Sequence, residues 1–343
     1  KKFTRARVQD QYSHRFKIHF PNEERAAGRP ARTRPIYETQ KELGAVFGLN
    51  SGWEHPLWYS RGDEPRVETN GFKRQNWWEP VGREARMLRE HAGIIDISNF
   101  AKYRVEGKGA AEWLDALFAN RMPVEIGRSC LTPLIGRRGG VAGDFTVTRL
   151  GEESFMIFGS GMAERFHQRF FKAVPRPQGV DFASMTDAMC GFNVAGPKSR
   201  ALLQRLTNED LSTASFPFMR SRRMRVAGID VVALRVSFTG DLGWELYCAA
   251  ADQPALYRAL IGAAAEFGAG PVGSRALMSL RIEKGYGSWG REYSPEYWPQ
   301  ESGLDRLVKL DKPDFPNRDA YARIAAEPAR QHLAMVALEA GDA

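Results

Sequence analysis

The sequence of 343 residues has few cysteines and lacks the common metal-binding patterns. Its three cysteines, Cys130, Cys190 and Cys248, are scattered and odd in number, which argues against a disulfide framework. This usage is typical of a reducing compartment, so we expect a cytoplasmic protein, or one of the mitochondrial matrix if the source is eukaryotic. No His-Glu-x-x-His or Cys-x-x-Cys pattern occurs, and we therefore expect no metal site.

Long apolar runs and a dinucleotide-binding fingerprint are also missing. No stretch of about 18 apolar residues occurs, so we expect no membrane span. The N-terminal region lacks the apolar core of a secretory signal, and the chain begins at Lys1-Lys2 without Met. We interpret that beginning as a fragment or a processed product. Because no Gly-x-Gly-x-x-Gly pattern occurs, we expect no dinucleotide-binding domain in this chain.

Positive charge is concentrated near the beginning of the chain. Residues 1–40 carry ten lysines and arginines against four acidic residues, which gives +6 of the chain's net +8. Such a segment can bind nucleic acid or attract an acidic ligand. Phe16, Ile18 and Phe20 interrupt the basic residues, however, and this argues against a disordered binding arm. We therefore favour a connector that is solvated by its charge, and we expect no nucleic-acid partner.

A glycine-rich turn leads into a strand that carries one carboxylate. Gly139-Gly140 suits a tight turn. Alternation along the next residues predicts that Phe145 and Val147 share one face of the strand, whereas Asp144 and Thr146 share the other. A carboxylate in that position is either a solvated surface charge or a general base beside a pocket. The spacing alone favours the surface charge.

A second segment predicts a hairpin with a carboxylate and a phenol side by side. Residues 232–238 alternate as a strand does, and residues 239–243 carry a turn signal. In the strand that follows, Glu245 and Tyr247 share one face. A carboxylate can accept two hydrogen bonds from a planar N–H edge, and an aromatic ring can stack on a flat heterocycle. Taken alone, an exposed cross-strand pair is the favoured alternative.

The ordered set of motifs resembles the folate-binding aminomethyltransferases of glycine cleavage, and more closely the folate half of dimethylglycine and sarcosine dehydrogenases. Each motif is weak alone, but four occur in the family's order. They are Gly-Gly-x-x-x-Asp at 139–144, Thr-Gly-x-x-Gly-x-Glu at 239–245, Leu-Arg-x-Glu-Lys-Gly-Tyr at 280–286 and Val-Lys-Leu-Asp-Lys at 308–312. The run at 21–54 resembles the segment that joins the flavin half to the folate half. The resemblance covers nearly the whole chain.

Strands and helices in mixed order, with hairpins, favour an α+β fold. The resemblance implies the folate-binding cloverleaf of antiparallel-sheet and helix subdomains, with the C-terminal barrel largely truncated. It divides the chain into a connector at 1–80, a folate-binding domain at 81–330 and the start of the barrel at 331–343. The connector is rich in Arg, Pro, Gly and Trp and shows little periodicity, so we expect it to be extended.

The resemblance also implies roles for the two carboxylates. Asp144 would take a proton as a one-carbon unit is attached, or would stabilise a cationic intermediate. Glu245 would accept hydrogen bonds from the pterin amino group and ring N–H. Tyr247 and Phe238 would line the same wall, although relatives commonly carry Tyr at the Phe238 position.

Two further residues are open between a structural role and contact with the ligand. Thr146 is either a donor beside Asp144 or a structural threonine. Arg281 lies on an otherwise apolar helix face and needs a carboxylate partner. That partner is either another residue of the chain or the glutamate tail of the folate.

The function implied by the resemblance is tetrahydrofolate-dependent one-carbon transfer. The chain would capture a methylene unit from an imine derived from an N-methyl amine and give 5,10-methylenetetrahydrofolate. FAD, carried by another domain or a partner chain, would generate the imine. The alternatives are a folate-binding or assembly protein without transfer activity, for which a reactive cysteine would be expected, and a demethylase of O- or S-methyl donors.

Overall fold

A computed structural model describes residues 1–337 of the chain. Its α-helices, in chain order, are α1 (Lys2–Ser13), α2 (Tyr37–Glu42), α3 (Trp78–Glu90), α4 (Ala110–Leu117), α5 (Glu164–Ala173), α6 (Ser199–Gln204), α7 (Gln253–Ala264), α8 (Ser274–Glu283) and α9 (Arg318–Ala325). Its strands are β1 (Ala45–Asn50), β2 (Trp53–Tyr59), β3 (Gly93–Asp96), β4 (Ala101–Glu106), β5 (Ser129–Ile135), β6 (Val141–Gly151), β7 (Ser154–Gly159), β8 (Asp181–Ser184), β9 (Met189–Ala195), β10 (Ser221–Val226), β11 (Ile229–Leu234), β12 (Gly243–Ala249) and β13 (Gly270–Val272).

One sheet has five antiparallel strands in the order β5-β6-β7-β4-β8. The alternation predicted for β6 is confirmed, because Phe145 and Val147 belong to an apolar core that also contains residues of α4 and α5. This core contains Tyr103, Val105, Leu114, Phe118, Phe145, Val147, Ile157 and Phe171. The outer face of the five-stranded sheet is thus covered by helices, and Asp144 and Thr146 lie on its other, inner face.

The second sheet has six strands in the order β10-β11-β12-β9-β3-β13. Its pairs are antiparallel except for β13, which runs parallel to β3. The outer face packs on α6 and α7 through a second apolar core. The predicted alternation of β12 is confirmed, since Trp244, Leu246 and Cys248 lie in this outer core whereas Tyr247 does not.

The inner faces of the two sheets meet in a third, central core. Met156 and Phe158 of the five-stranded sheet pack there with Leu234 and Tyr247 of the six-stranded sheet. Residues of α3, α8 and the β1–β2 hairpin complete this core. The fold is therefore a pair of facing sheets with helices on both outer sides, and Asp144, Thr146, Glu245 and Tyr247 all lie on the strand faces that meet in the middle.

The prediction that residues 1–80 are extended is wrong for much of that range. It contains α1, α2 and a β1–β2 hairpin whose Trp58 is fully buried in the central core. The hairpin turn is Ser51-Gly52, and both residues have positive φ, 53° and 87°. This is the backbone geometry of a tight two-residue hairpin loop. The Ser51-Gly52 turn was not recognised in the sequence because the surrounding segment is rich in Arg, Pro, Gly and Trp and shows little periodicity.

Two other boundaries differ from those predicted. Strand β11 ends at Leu234, so Phe238 lies in the loop that follows and not on the strand. The turn begins where the N–H of Val236 bonds back to the carbonyl of Leu234. At the other end of the chain, residues 331–337 form no strand, and the rest of the predicted barrel start lies outside the described residues. Among the helices that the structure describes, none is long and apolar enough to cross a bilayer.

Candidate functional site

The structure brings four of the predicted site residues to one interface between the sheets. Thr146 lies opposite Phe158 in the β6–β7 ladder, two residues along the same face from Asp144. The ring of Phe158 stacks on that of Tyr247, with 4.3 Å between centroids and 24° between planes. Tyr247 in turn binds Glu245. Phe158 thus connects the Asp144 face of one sheet to the Glu245 face of the other.

Asp144 is partly buried, and no residue in the described part of the chain donates a side-chain hydrogen bond to its carboxylate. Burial raises the pKa of Asp144 to about 6, and a bond with its own backbone N–H lowers it by a smaller amount. The start of the strand is held by the N–H of Val141, which donates to the carbonyl of Tyr297 at 2.9 Å. The preceding turn packs closely on the same segment, since a Cβ on Gly140 would lie 2.1 Å from the carbonyl oxygen of Pro295. An unpaired carboxylate with such a pKa can take up and release a proton near neutral pH.

Glu245 is 8% exposed and accepts a hydrogen bond of 2.7 Å from the hydroxyl of Tyr247. Burial raises the pKa of Glu245 to about 7, while the bond from Tyr247 and the charge of Lys102 lower it by smaller amounts. Burial also raises the pKa of Tyr247 well above its ordinary value, so its hydroxyl keeps its proton. One donor uses only part of the accepting capacity of a carboxylate. Glu245 therefore retains acceptor sites for a ligand.

Phe238 lies at the edge of this interface, in the loop between β11 and β12. Its ring is parallel to that of Tyr286 within 20°, at a centroid distance of 6.4 Å. The loop is held by Ser237, which donates to Oδ1 of Asn193 at 3.2 Å and lies 2.8 Å from the hydroxyl of Thr239. The Thr-Gly part of the second motif is thus explained by the conformation of the loop.

Arg281 has a carboxylate partner within the chain. Its side chain is 1% exposed, and Nη1 lies 2.7 Å from Oε2 of Glu292 and donates to the carbonyl of Tyr286 at 2.9 Å. Burial raises the pKa of Glu292, but bonds from Arg281 and from the backbone N–H of Ser288 lower it more, and the net pKa lies below the ordinary value. The pair fastens the 286–292 segment to α8. Contact of Arg281 with a ligand stays a prediction.

Three residues of the interface were not selected from the sequence. They are Phe158, Asn193, which lies opposite Glu245 in the β9–β12 ladder, and Lys102, which lies opposite Phe158 in the β4–β7 ladder. Alternation in residues 101–106 does separate Lys102 from the apolar Tyr103 and Val105. That signal indicates a buried lysine only when both faces of the sheet are known to be covered.

The cysteines are poorly suited to nucleophilic chemistry. Burial raises the pKa of Cys130 and of Cys248 to about 12, and it raises that of Cys190 as well. Thiols with such values are protonated at neutral pH and react slowly. In residues 1–337, no three His, Cys, Asp or Glu side chains lie close enough together to hold a metal ion.

Comparison with known proteins shows what the chain is similar to. Residues 36–312 match the model of the GCVT N-terminal domain, and residues 1–33 match that of the FAD dependent oxidoreductase central domain. The chain is 34% identical over 344 residues to mitochondrial dimethylglycine dehydrogenase of Mus musculus, which covers 99% of this chain and 39% of that protein. It is 33% identical over 313 residues to an aminomethyltransferase of Saccharopolyspora erythraea, covering 88% and 77%.

The fold is also that of a solved aminomethyltransferase. The crystal structure of glycine cleavage system aminomethyltransferase T from Bartonella henselae superposes with a TM-score of 0.73 at 25% identity, over 87% of this chain and 76% of that one. The present chain spans about two fifths of the length of the dimethylglycine dehydrogenases it matches. The predicted α+β fold of the aminomethyltransferases and the resemblance based on the motifs are confirmed. The chain belongs to the aminomethyltransferase family defined by the GCVT domain.

Proposed function

We propose that this chain binds tetrahydrofolate between the two sheets and captures a methylene unit from an imine derived from an N-methyl amine, giving 5,10-methylenetetrahydrofolate. The observation that carries the proposal is the carboxylate of Asp144, which is partly buried, receives no side-chain hydrogen bond within residues 1–337 and lies on the strand face that packs against Tyr247 through Phe158. A carboxylate is costly to bury without a partner. Retaining one in that state is reasonable where a ligand supplies the partner.

The residues present fit a reduced pterin. Glu245 offers carboxylate oxygens to a planar N–H edge, and Tyr247 fixes one of those oxygens at 2.7 Å. The Phe158–Tyr247 stack gives the interface an aromatic wall. Thr146 adds a hydroxyl two residues from Asp144 on the same strand face. When bound, tetrahydrofolate supplies nucleophilic ring nitrogens for an electrophilic carbon.

Asp144 has the properties of the proton carrier in this reaction. Carbon transfer to a folate nitrogen releases a proton, and departure of the demethylated amine requires one. A carboxylate with a pKa of about 6 is ionised at neutral pH, accepts the proton and returns it to the amine. Its negative charge also stabilises a cationic donor before transfer. Both tasks need a carboxylate that no protein group neutralises.

An FAD-containing domain or partner chain is proposed to supply the imine. The match of residues 1–33 to the FAD dependent oxidoreductase central domain supports this, together with the likeness to dimethylglycine dehydrogenase. No residue of α1, which lies in that range, is buried. Delivery of the imine into the interface between the sheets would protect it from hydrolysis to formaldehyde.

The test is tetrahydrofolate binding, followed by quenching of tryptophan fluorescence in the unsubstituted protein and in Glu245→Gln. We expect saturable binding that Glu245→Gln weakens by roughly ten- to a hundredfold, as loss of charge-assisted hydrogen bonds would cause. Glu84→Gln is the matched control, because Glu84 is an equally buried glutamate whose oxygens accept the backbone N–H groups of Tyr59 and Gly273. Absence of binding by the folded, unsubstituted chain would reject the proposal.

A further inference from the structure

Lys102 is buried in the middle of the molecule with no exposed surface. Its Nζ donates to the carbonyl oxygens of Ser98 and Phe100 at 2.9 and 2.7 Å. In the part of the chain that the structure describes, no carboxylate lies within ion-pair distance of this ammonium group. A buried cation held only by carbonyls is costly, and it is retained where its charge is used.

Two independent paths connect Lys102 with the Tyr247–Glu245 pair. Across β4–β7, Lys102 lies opposite Phe158, whose ring stacks on Tyr247. On the other side, Ser98 binds Nζ through its carbonyl and accepts the N–H of Gly191 through its hydroxyl at 3.1 Å. Gly191 is the direct neighbour of Tyr247 in the β9–β12 ladder. Lys102 therefore belongs to the wall of the proposed site.

Most other charged groups around Lys102 already have partners. Asp96 accepts from the amide of Gln40 and from the backbone N–H of Ser98, at 3.1 and 2.9 Å. Glu164 accepts from the hydroxyls of Ser184 and Thr186.

The remaining neighbours are Arg34, which shares the carbonyl of Ser98 with Lys102, and the protonated thiol of Cys190. Arg34 stacks on Trp53, with its guanidinium carbon 3.6 Å from the ring centre. Within residues 1–337, Glu245 accepts a hydrogen bond from one donor, the hydroxyl of Tyr247.

We propose that Lys102 is a positioning residue of the site, and that its positive charge keeps the buried Glu245 carboxylate ionised and ready to accept the N–H edge of the pterin. This inference rests on the proposed function. A protonated Glu245 would lose acceptor capacity and would oppose a ligand N–H with a donor of its own. Lys102 thus acts on the ligand through Glu245 and does not touch it.

The pH dependence of binding follows from the same arrangement. Burial, and then the charge of Arg34, lower the pKa of Lys102 to about 7, while burial raises that of Glu245 to about 7 and Lys102 lowers it in part. Two groups this close in pKa titrate as a pair. Removal of the lysine charge leaves Glu245 with a higher pKa, so tetrahydrofolate binding should require a more alkaline pH.

The experiment measures the tetrahydrofolate dissociation constant from about pH 6 to about pH 9 in Lys102→Met, Lys102→Gln and Lys102→Arg. Met removes charge and donors, Gln removes the charge but keeps an N–H donor, and Arg keeps the charge. Lys312→Met is the matched control, because Lys312 is also buried and donates to the carbonyls of Phe118, a residue of the outer core of the five-stranded sheet, and of Asn120. Its ammonium group pairs with Asp115 at 3.2 Å.

We expect the acid limb of the binding profile to move by roughly one pH unit to higher pH in Lys102→Met and Lys102→Gln, which is about tenfold weaker binding near neutrality. Lys102→Arg should restore the position of the limb, and Lys312→Met should leave it unchanged. A folded Lys102→Gln with the unsubstituted profile would reduce Lys102 to a structural residue. Failure of the unsubstituted protein to bind, or binding indifferent to Glu245→Gln, would instead reject the proposed function.

Discussion

Two regions of the central core each bury a glutamate, and the two carboxylates receive different hydrogen-bond donors. Around α3, Glu84 receives the backbone N–H groups of Tyr59 and Gly273 at 2.6 and 2.8 Å. Between the sheets, Glu245 receives one phenol, and within residues 1–337 Asp144 receives no side-chain hydrogen bond. Burial raises the pKa of both glutamates to about 7, so neither burial nor pKa separates the two regions.

The two glutamates differ in how many hydrogen-bond acceptor sites of the carboxylate the protein itself uses. The two backbone donors of Glu84 come from the β1–β2 hairpin and from the start of α8, so this carboxylate joins three segments of the fold. The carboxylates of Glu245 and Asp144 accept few hydrogen bonds from the part of the protein that the structure describes. A buried acid that stabilises a fold uses its oxygens on the fold, whereas a buried acid that serves a ligand leaves them free.

The largest expected effect is on methylene transfer by Asp144→Asn. Loss of a general acid–base group typically slows a reaction by about 10² to 10⁴-fold, and we expect a loss in that range with tetrahydrofolate affinity changed by less than about threefold. The measurement is formation of 5,10-methylenetetrahydrofolate in a single turnover with a chemically generated iminium donor. Asp230→Asn, at an exposed hairpin position, is the control and should transfer at the unsubstituted rate. An undiminished rate for Asp144→Asn would remove Asp144 from the mechanism.

On the structural side, Glu84→Leu should strongly destabilise the fold. The substitution replaces the carboxylate with an apolar side chain of similar size and leaves two backbone N–H groups buried without acceptors, which costs about 2–5 kcal/mol of the free energy of unfolding. Urea denaturation measures the difference. Glu90→Leu alters an exposed position of the same helix and should stay within about 0.5 kcal/mol of the unsubstituted protein. Equal effects of the two substitutions would mean that Glu84 does not stabilise the fold by joining these three segments.

A third prediction is that Asp144→Asn stabilises the folded protein at neutral pH. The pKa of Asp144 is about 6 in the folded protein and near 3.8 when unfolded, so folding favours its protonated form. The contribution of Asp144 to the free energy of unfolding is therefore fully present below about pH 4 and is lost as the pH rises through about 6. Allowing for the partial exposure of the side chain, Asn should raise the free energy of unfolding by about 1–2 kcal/mol at pH 8 and by little at pH 4.

Denaturation of both proteins at the two pH values checks the sign. Glu84→Leu is the contrasting variant, since it should lose stability at both. A destabilised Asp144→Asn at pH 8 would indicate that the carboxylate has a stabilising partner in the folded protein, contrary to the unpaired geometry. A gain that vanishes in acid would instead identify Asp144 as a group kept at the expense of stability.

Much of the site was predictable from strand alternation and ordered motifs. Alternation assigned Asp144 and Thr146, and likewise Glu245 and Tyr247, to the correct strand faces, because a period of two fixes sidedness wherever a strand is covered. It could not predict that these faces meet, since pairing of distant strands and sheet-on-sheet packing leave no local signal. Lys102 was missed for that reason. Phe238 was assigned to a strand because its residue type fits one, whereas the chain had already turned after Leu234.

The smallest expected effect is that of Phe238→Tyr, which introduces the phenol that the family resemblance implies for this position. Phe238 lies in the loop after β11 and stacks on Tyr286, which is 43% exposed, so a new hydroxyl would meet solvent at the edge of the interface. We expect transfer rate and tetrahydrofolate affinity to change by less than about threefold, because an exposed hydrogen bond contributes little. Tyr286→Phe removes a hydroxyl from the other ring of the stack and is the matched control. A rate gain above about tenfold in Phe238→Tyr alone would show that the phenol takes part in proton transfer. The groups that serve the reaction would then include this loop as well as Asp144.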